Sequence, residues 1–297
     1  MISTRDEMLL YEKCRKFLQT VHTKEIKEHH SKLEDFKQWC QTQEEIPPTI
    51  TVQQLVEFLN AVDYNLEKAQ ELILAHYRLK MQIADILFNQ RDPFHSDVQN
   101  VWTVIKLATL PKLTQQGFRI VFTGLANTNP KRFNFFATFR LFTMAMEASM
   151  MVEGLFPGYA VIGDASGLTF HHIPFSSFGT VKKILQYVQY GLPISVKAIH
   201  VLNLSKIGER LYSLIRPLLN HELVEMIYIH KGMTLDSLYQ QIPKELLPSE
   251  LGGSLGPFGP FQSNLKRKVE FLKDWYKIEI NQRQKLSSKE RRRSSKH

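Results

Sequence analysis

The sequence contains few cysteines. Among its 297 residues there are two, Cys14 and Cys40, which lie far apart in the chain. Two thiols cannot form a disulfide framework, and they cannot by themselves close a structural zinc site. We therefore expect reduced cysteines in a cytosolic protein.

Long hydrophobic runs are also missing. The apolar stretches at 141–152 and 154–163 are interrupted by charged residues, proline or glycine. Neither reaches the ~20 apolar residues that a helix needs to cross a bilayer. The chain start carries Asp6 and Glu7, where a signal peptide would have a basic and then an apolar stretch. The sequence thus predicts neither a membrane span nor a secretory signal.

The sequence lacks the motifs of several enzyme classes. No G-x-G-x-x-G follows a predicted strand, and G-x-x-x-x-G-K-[ST] does not occur, so the usual dinucleotide and P-loop sites are not expected. The segment 221–225 (HELVE) resembles a zinc-protease motif but ends in glutamate. The pairs His29-His30 and His171-His172 are adjacent, and adjacent side chains point in different directions. We therefore predict no metal site.

One serine lies in a glycine-rich turn that invites a hydrolase interpretation. Within Gly163–Gly167 the serine, Ser166, stands one place later than in the G-x-S-x-G elbow. Asp164, Ser166 and His171 could still be drawn as a catalytic triad. The simpler interpretation is a turn at the carboxyl end of a strand, because Asp and Gly favour turns. Both interpretations stay open at this point.

Positive charge is concentrated at one end of the chain. The formal net charge is +9, and the last 34 residues carry +8 of it. The nearly neutral remainder argues against a nucleic-acid-binding body. The segment Ser287–His297 has no apolar residue and is expected to be disordered. Its Arg291, Arg292 and Arg293 are predicted to contact an anionic membrane surface.

Hydrophobic periodicity divides the chain into a helical part and a mixed part. Over roughly the first 90 residues, apolar side chains recur at helical spacing, with Thr51 and Asn65 as candidate N-caps. Short apolar runs then alternate with helical segments, which is typical of a mostly parallel sheet covered by helices. The predicted strands are 119–123, 159–163, 197–202 and 226–229, and the predicted helices are 134–152, 174–190 and 206–221. The predicted domains are 1–90 (helical module), 91–260 (sheet domain) and 261–297 (basic carboxyl-terminal helix and tail).

Two of the predicted helices have unusual apolar surfaces. The phenylalanine- and methionine-rich helix at 134–152 has more apolar surface than one core-facing stripe requires. It could line a cavity, or it could be a deeply buried core helix. The segment 206–221 has an apolar face, but Pro217 weakens it as a helix. A weak apolar helix above a sheet suits a movable lid, although ordinary edge helices look similar.

Four segments resemble the CRAL-TRIO family. The segment 55–69 (LVEFLNAVDYNLEKA) is similar to the family's amino-terminal helical module. The segments 160–168 (AVIGDASGL), 193–203 (PISVKAIHVLN) and 242–253 (IPKELLPSELGG) are similar to successive motifs of its sheet domain. The resemblance implies an α/β fold in which a mostly parallel sheet with covering helices encloses a hydrophobic lipid pocket, preceded by a small all-α bundle. It also implies a non-enzymatic carrier that transfers one hydrophobic lipid, such as a tocopherol, retinoid or carotenoid, to or between membranes.

The resemblance implies a pocket wall and a mobile gate at 206–221. Position by position, the wall comprises Phe142, Met146, Tyr159, Val161, Gly163, Tyr187, Val188, Leu192, Val196 and Ile199, and the gate contributes Leu211, Leu214 and Leu218. Phe142 and Met146 stand where the family's tocopherol carriers place serines. This loss of polar groups favours a more apolar or longer ligand.

The resemblance also bears on partners. The family's phosphoinositide-binding basic positions correspond here to Asn60, Ser195, Glu222 and Met226. Recognition of that type is weakened, because phosphates need several charged donors; Lys197 and Arg216 remain nearby as predicted membrane or phosphate contacts. We expect a cytoplasmic monomer, peripheral and transient at anionic membranes, that binds a small hydrophobic lipid and needs no cofactor, metal or nucleic acid. The alternative is a phosphoinositide-responsive scaffold or signalling module with a vestigial pocket.

Overall fold

The computed structural model describes residues 23–231 and 235–294, and side chains only as far as residue 285. Cys14 and the side chains of Arg291, Arg292 and Arg293 lie outside the described part. The helices are α1 (Thr23–Glu28), α2 (His30–Gln41), α3 (Val52–Ala61), α4 (Leu66–Gln82), α5 (Ser96–Val104), α6 (Phe135–Glu153), α7 (Phe178–Tyr190), α8 (Lys206–Ile215), α9 (His221–Glu225), α10 (Asp236–Tyr239), α11 (Gly259–Phe271) and α12 (Lys273–Ser294). The strands are β1 (Ile105–Leu113), β2 (Arg119–Leu125), β3 (Tyr159–Asp164), β4 (Val196–Leu202) and β5 (Ile227–Ile229).

The five strands form one sheet in the order β1-β2-β3-β4-β5. Strand β1 is antiparallel to β2, and the other neighbouring pairs are parallel. This mostly parallel sheet, covered by helices and preceded by helices, confirms the predicted fold class. Strand β1 was not predicted, because Lys106 and Pro111 interrupt its apolar pattern. Both residues are acceptable on an edge strand, where one side of the backbone needs no partner.

Alternate residues of the strands enter two different cores. On one face, Val121 and Tyr159 pack with Leu141 and Met144 of α6. On the other face, Ile120, Phe122 and Ile162 pack with side chains from α10 and the segment that follows it. This division follows from the two-residue period of a strand, and it places α6 and the carboxyl-terminal helices on the same side of the sheet.

The amino-terminal helices form a separate cluster with the caps that the sequence predicted. Thr51 accepts a hydrogen bond from the Gln54 backbone, and the Gln54 side chain accepts one in return, which completes a capping box at α3. Asn65 caps α4 by accepting a hydrogen bond from the Lys68 backbone. The core of this module includes the fully buried Phe36. The capping residues therefore fix where α3 and α4 begin.

Pro217 breaks the segment that was predicted as one helix at 206–221. Helix α8 ends at Ile215, and Arg216–Leu218 form a 3-10 turn around the proline before α9 begins. The break follows from chemistry, because proline offers no backbone N–H and clashes with the preceding turn. The start of the helix predicted at 174–190 is likewise a 3-10 turn, and the α-helix α7 begins at Phe178.

The carboxyl-terminal segment differs from its prediction. The backbone of α12 is helical as far as Ser294, so the expectation of disorder from Ser287 is wrong for residues 287–294. The segment lacks apolar residues but consists largely of Lys, Glu and Arg, which have good helix propensity and continue an established helix. The preceding residues Trp275 and Tyr276 are buried, and they hold the first turns of α12 against the body.

A buried network of charges joins α12 to the rest of the protein. The Glu279 carboxylate lies 3.0 Å from Nζ of Lys80, 3.3 Å from Nη1 of Arg91 and 3.2 Å from Nε of Arg283. Arg91, whose side chain is fully buried, also pairs with Glu147 of α6. Burial alone would raise the pKa of Glu279, but the three cations lower it from its ordinary value of 4.5 to about 2. Part of the basic segment is therefore structural and not a free tail.

One feature of α6 corrects the expectation about membrane spans. Among the described residues, α6 is long and apolar enough by length and composition to cross a bilayer. Within the protein 61% of that stretch is buried, which is what a core helix shows as well. The helix lies in the main core, where Met144, Met146, Met150 and Met151 are all buried.

Candidate ligand-binding site

An apolar patch crosses three neighbouring strands on the α6 side of the sheet. Val161 of β3 is paired with Ile199 of β4, and Ile199 is paired with Ile227 of β5. All three side chains are only half-buried. Parallel strands beneath helices are normally buried on both faces. The patch Val161–Ile199–Ile227 is therefore less completely covered than a parallel sheet normally is.

The remainder of β3 and β4 supports the same conclusion. Gly163 and Val196 are half-buried, and four successive residues of β4, 196–199, share that intermediate exposure. Gly163 carries no side chain, so it leaves space on the same face as Val161. Tyr159, by contrast, is buried at the start of β3. The half-exposed surface thus begins beyond Tyr159 on β3 and continues across the neighbouring strand β4.

Helix α6 contributes to both the core and the patch. Phe142 is half-buried and packs against the cluster that also contains Val161. Met146, one helical turn later, is 3% exposed and belongs to the core itself. The helix therefore serves mainly as the core helix that composition favoured, and Phe142 packs against the same core cluster as Val161. The roles of Phe142 and Met146 toward a ligand remain predictions.

Helix α8 presents an incompletely covered apolar stripe. Ile207, Leu211 and Leu214 recur at helical spacing and share one face. Only Leu211 is buried, whereas Ile207 is 41% and Leu214 51% exposed. Leu218, in the 3-10 turn, is half-buried. Helix α8 is thus anchored through one apolar residue and ends before Pro217, and its role as a gate remains a prediction. Ile207 and Ile227 were not predicted, although their positions in apolar runs could have identified them.

The structure separates three further residues from the patch. Tyr187 of α7 is buried against the helical module, with its ring 5.2 Å from Phe88 in an edge-to-face contact. Leu192 packs in the same cluster, and Val188 is half-buried beside it. Tyr187 and Leu192 line a small polar cavity of about 50 Å³ between the module and α12. They stand closer to the module interface than to the patch, and their pocket role remains a prediction.

The Asp164 loop forms a turn, in agreement with the simpler of the two interpretations. Oδ1 of Asp164 accepts hydrogen bonds from Oγ of Ser166 at 2.7 Å and from Nδ2 of Asn203 at 2.9 Å. Burial would raise the pKa of Asp164, but these hydrogen bonds lower it below its ordinary value. Among the described residues no histidine ring bonds to Ser166, and His171 is exposed. The carboxylate joins the ends of β3 and β4 and does not form a triad.

Replacing Ser166 with alanine is expected to leave ester hydrolysis at the level of a buffer blank, as in the unmodified chain. The free energy of unfolding should fall by about 1 kcal/mol, because one hydrogen bond in the turn is lost. Hydrolysis of a chromogenic ester and thermal unfolding measure the two effects. Turnover that disappears in Ser166→Ala would restore the hydrolase interpretation.

The predicted basic contacts have different surroundings. Nζ of Lys197 lies 3.6 Å from the Asp63 carboxylate, which ties β4 to the helical module. Arg216 is exposed next to the end of α8. Asn60, at one of the altered basic positions, donates a hydrogen bond to the backbone carbonyl of Phe156 at 2.9 Å. Of these residues, Arg216 is the cation best placed to meet a surface.

The fold corresponds to a recognised class of protein. The model of the CRAL/TRIO domain matches residues 105–253, and the chain belongs to this family. The model of a Pinta-like UBA domain matches residues 25–98, which include the helical module. The family model thus covers all five strands, α6 and α8.

Similar proteins include two transfer-protein relatives and one clavesin. The mouse and human proteins called alpha-tocopherol transfer protein-like are 24% and 26% identical over 74% of this chain, and the matches cover 64% and 65% of their lengths. Rat clavesin-2 is 27% identical over 81% of this chain and 76% of its own length. The chain therefore spans just under two thirds of the transfer-protein relatives. The crystal structure of Sfh5 is 11% identical, covers 88% of this chain and 92% of its own, and has a TM-score of 0.50, which supports the fold alone.

Proposed function

We propose that this protein binds one hydrophobic lipid between the patch Val161–Ile199–Ile227 and helix α8, and transfers it to or between membranes. CRAL-TRIO family members are lipid-binding transfer proteins. The observation that carries the proposal is the half-exposed apolar patch on strands that helices should otherwise bury. Loading the protein with a fluorescent lipid analogue and following its movement to acceptor vesicles tests the proposal, and an absence of both binding and movement would contradict it.

The physical basis of carriage is burial of apolar surface. A lipid with about 500 Å² of apolar surface gains on the order of 12 kcal/mol at ~25 cal/mol/Å². Lost motion of the lipid and ordering of α8 offset a large part of this gain. Water cannot compete for the cargo, but a bilayer can, because it offers a similar apolar solvent. Release then requires membrane contact and movement of α8, and it needs no bond chemistry, cofactor or metal.

The nature of the cargo follows from the wall. Phe142 and Met146 provide no hydrogen-bonding group, and Val161, Ile199 and Ile227 provide only hydrocarbon. A buried polar group on the ligand would therefore remain unpaired at a cost of ~1–3 kcal/mol. The wall favours a ligand that is apolar along most of its length, in preference to one that must place a hydroxyl in the pocket.

Membrane contact is proposed to occur through α8. Ile207 and Leu214 offer exposed hydrocarbon, and Arg216 adds a positive charge at the end of the helix. Apolar and basic groups together favour an anionic bilayer surface. We infer a monomer that is cytoplasmic and only transiently peripheral at membranes.

Deleting Ser287–His297 is expected to slow transfer to anionic vesicles by about tenfold or more. The deletion removes a net charge of +4, and each Lys or Arg near an anionic leaflet contributes about 1 kcal/mol. Lipid affinity should not change, since Glu279 and its partners lie upstream of the deletion. Transfer rates to anionic and to neutral vesicles, measured side by side, decide the matter. If the shortened and full-length proteins transfer lipid to anionic vesicles at equal rates, the segment Ser287–His297 has no role in transfer.

A further inference from the structure

One side chain joins helix α7 to the segment that follows α8. Gln189 lies near the end of α7 and is half-buried. Its Nε2 donates a hydrogen bond to the backbone carbonyl of Leu218 at 3.1 Å, and its Oε1 accepts one from the backbone N–H of Asn220 at 2.7 Å. Nε2 also donates to the carbonyl of Leu185, one turn earlier in α7, at 3.0 Å. The side-chain amide is therefore oriented by its own helix and bonds to the other segment on both sides of Leu219.

Helix α7 is a fixed support for this contact. It buries Val181, Ile184 and Tyr187, and the last two pack against the residues that follow the helical module. The carbonyl of Gly191, directly after α7, accepts a hydrogen bond from Nδ1 of His76 at 2.7 Å. Because both its side chains and its end are held, α7 keeps the Gln189 amide in place.

Helix α8, on the other side of the contact, is held much less firmly. Its buried residues are Gly208 and Leu211. An ion pair joins Glu209 to Lys231 at 3.5 Å, but both side chains are exposed, and exposed pairs contribute little to stability. The helix ends before Pro217, which cannot continue it. The hydrogen bonds of Gln189 thus lie where a loosely packed helix meets its fixed neighbour.

We propose that Gln189 is a positioning residue that keeps α8 closed over the patch Val161–Ile199–Ile227, and that breaking its two hydrogen bonds to the other segment limits the rate of lipid exchange. This inference rests on the proposed carrier function. Opening of α8 about the turn Arg216–Leu218 moves the backbone of Leu218 and Asn220 away from α7, so both hydrogen bonds must break. Together they change the ratio of closed to open protein by about tenfold or more. Water can bond the freed backbone groups, because the contact is only half-buried, so opening is reversible.

Gln262 of α11 provides a matched control. Its Oε1 accepts a hydrogen bond from the Leu107 backbone at 3.1 Å, and its Nε2 donates one to the Trp102 carbonyl at 3.0 Å. It is also half-buried, and its partner strand β1 lies at the opposite edge of the sheet from β5. Replacing either glutamine with methionine keeps the length of the side chain and removes two hydrogen bonds to another element. Both variants are expected to lose a similar few degrees of thermal stability.

Two measurements on the full-length proteins distinguish the variants. Hydrogen exchange of the α8 backbone amides, followed by mass spectrometry without lipid, measures opening of a helix whose amides Gln189 does not bond. Release of pyrene-labelled dodecane from loaded protein to excess phosphatidylcholine vesicles measures lipid exchange. Gln189→Met is expected to be about tenfold faster than the parent protein in both measurements. Gln262→Met is expected to match the parent protein in both.

Three results would overturn the proposal. The first is an unchanged exchange rate of the α8 amides in Gln189→Met. The second is equal acceleration in Gln262→Met, which would indicate a general loosening of the fold. The third is faster amide exchange with unchanged release of pyrene-labelled dodecane, because Gln189 would then hold α8 without limiting lipid exchange. A protein that binds no hydrophobic probe would contradict the carrier function, whereas the amide exchange would still decide whether Gln189 holds α8 closed.

Discussion

Replacing Val161 with aspartate is expected to abolish binding of a hydrophobic lipid. Val161 stands at the β3 end of the patch, where it is paired with Ile199 on β4 and, on its other side, with the buried Val121 on β2. A carboxylate at this point would be covered by the ligand, and burying it unpaired costs several kcal/mol. A cost of about 4 kcal/mol corresponds to an affinity loss of about a thousandfold. Equilibrium titration with a fluorescent lipid analogue measures the loss.

Two companion variants distinguish the effect of a buried charge on lipid affinity from a loss of folding. Val161→Thr keeps the shape of the side chain and replaces one methyl group with an uncharged hydroxyl, so its affinity should fall far less than that of Val161→Asp. Ile199→Lys places a charge on the neighbouring strand and should repeat the loss. Thermal unfolding and circular dichroism show which variants fold. A folded Val161→Asp protein that binds lipid with unchanged affinity would show that the patch is not the binding surface.

Replacing Glu279 with glutamine is expected to lower the free energy of unfolding by about 3–5 kcal/mol. The substitution leaves Lys80, Arg91 and Arg283 buried with one carboxylate fewer. Breaking a buried ion pair from one side costs this much, because the remaining charge has lost its compensation. Urea unfolding of the full chain measures the change. The matched control is Glu225→Gln, which removes an exposed carboxylate whose ion pair among the described residues is with the exposed His221 and should change stability by less than about 1 kcal/mol.

The same substitution has a pH signature. The pKa of Glu279 is lowered from 4.5 to about 2, so its stabilising contribution is complete above pH 4.5 and is lost as the pH falls toward 2. Glutamine does not titrate, so the difference in stability between the two proteins should shrink across this interval. A difference that is the same at neutral and acidic pH, or a Glu279→Gln protein as stable as its parent, would show that the network does not anchor α12.

Much of the sheet could be predicted because its signals are local. Apolar runs bounded by turn residues located β2 to β5, and Thr51 and Asn65 marked helix starts at their true positions. The adjacency of Val161 and Ile199 follows from parallel pairing of successive strands. Strand β1 was not predicted, because Lys106 and Pro111 interrupt its apolar pattern. Such residues are tolerated in a strand at the edge of a sheet.

The interactions that could not be predicted link distant parts of the chain. Glu279 meets Lys80 and Arg91 across most of the sequence, and no local pattern pairs these residues. The sequence predicted a basic carboxyl-terminal helix and a disordered tail from Ser287, and the apolar Trp275 and Tyr276, which are buried, were the available signal that the helix docks. The direction of the Tyr187 side chain could not be predicted either. It packs toward the helical module because its ring contacts His76 and Phe88, which are distant in the sequence.

Organic extraction of the protein purified without detergent, followed by mass spectrometry, tests the carrier function most directly. A carrier should yield one hydrophobic lipid per protein molecule, and Val161→Asp prepared in the same way should yield none. The lipid should be apolar over most of its length, as the wall from Phe142 to Ile227 requires. A folded protein that yields no lipid and takes up none from a lipid library would contradict the account and would favour a scaffold with a vestigial pocket.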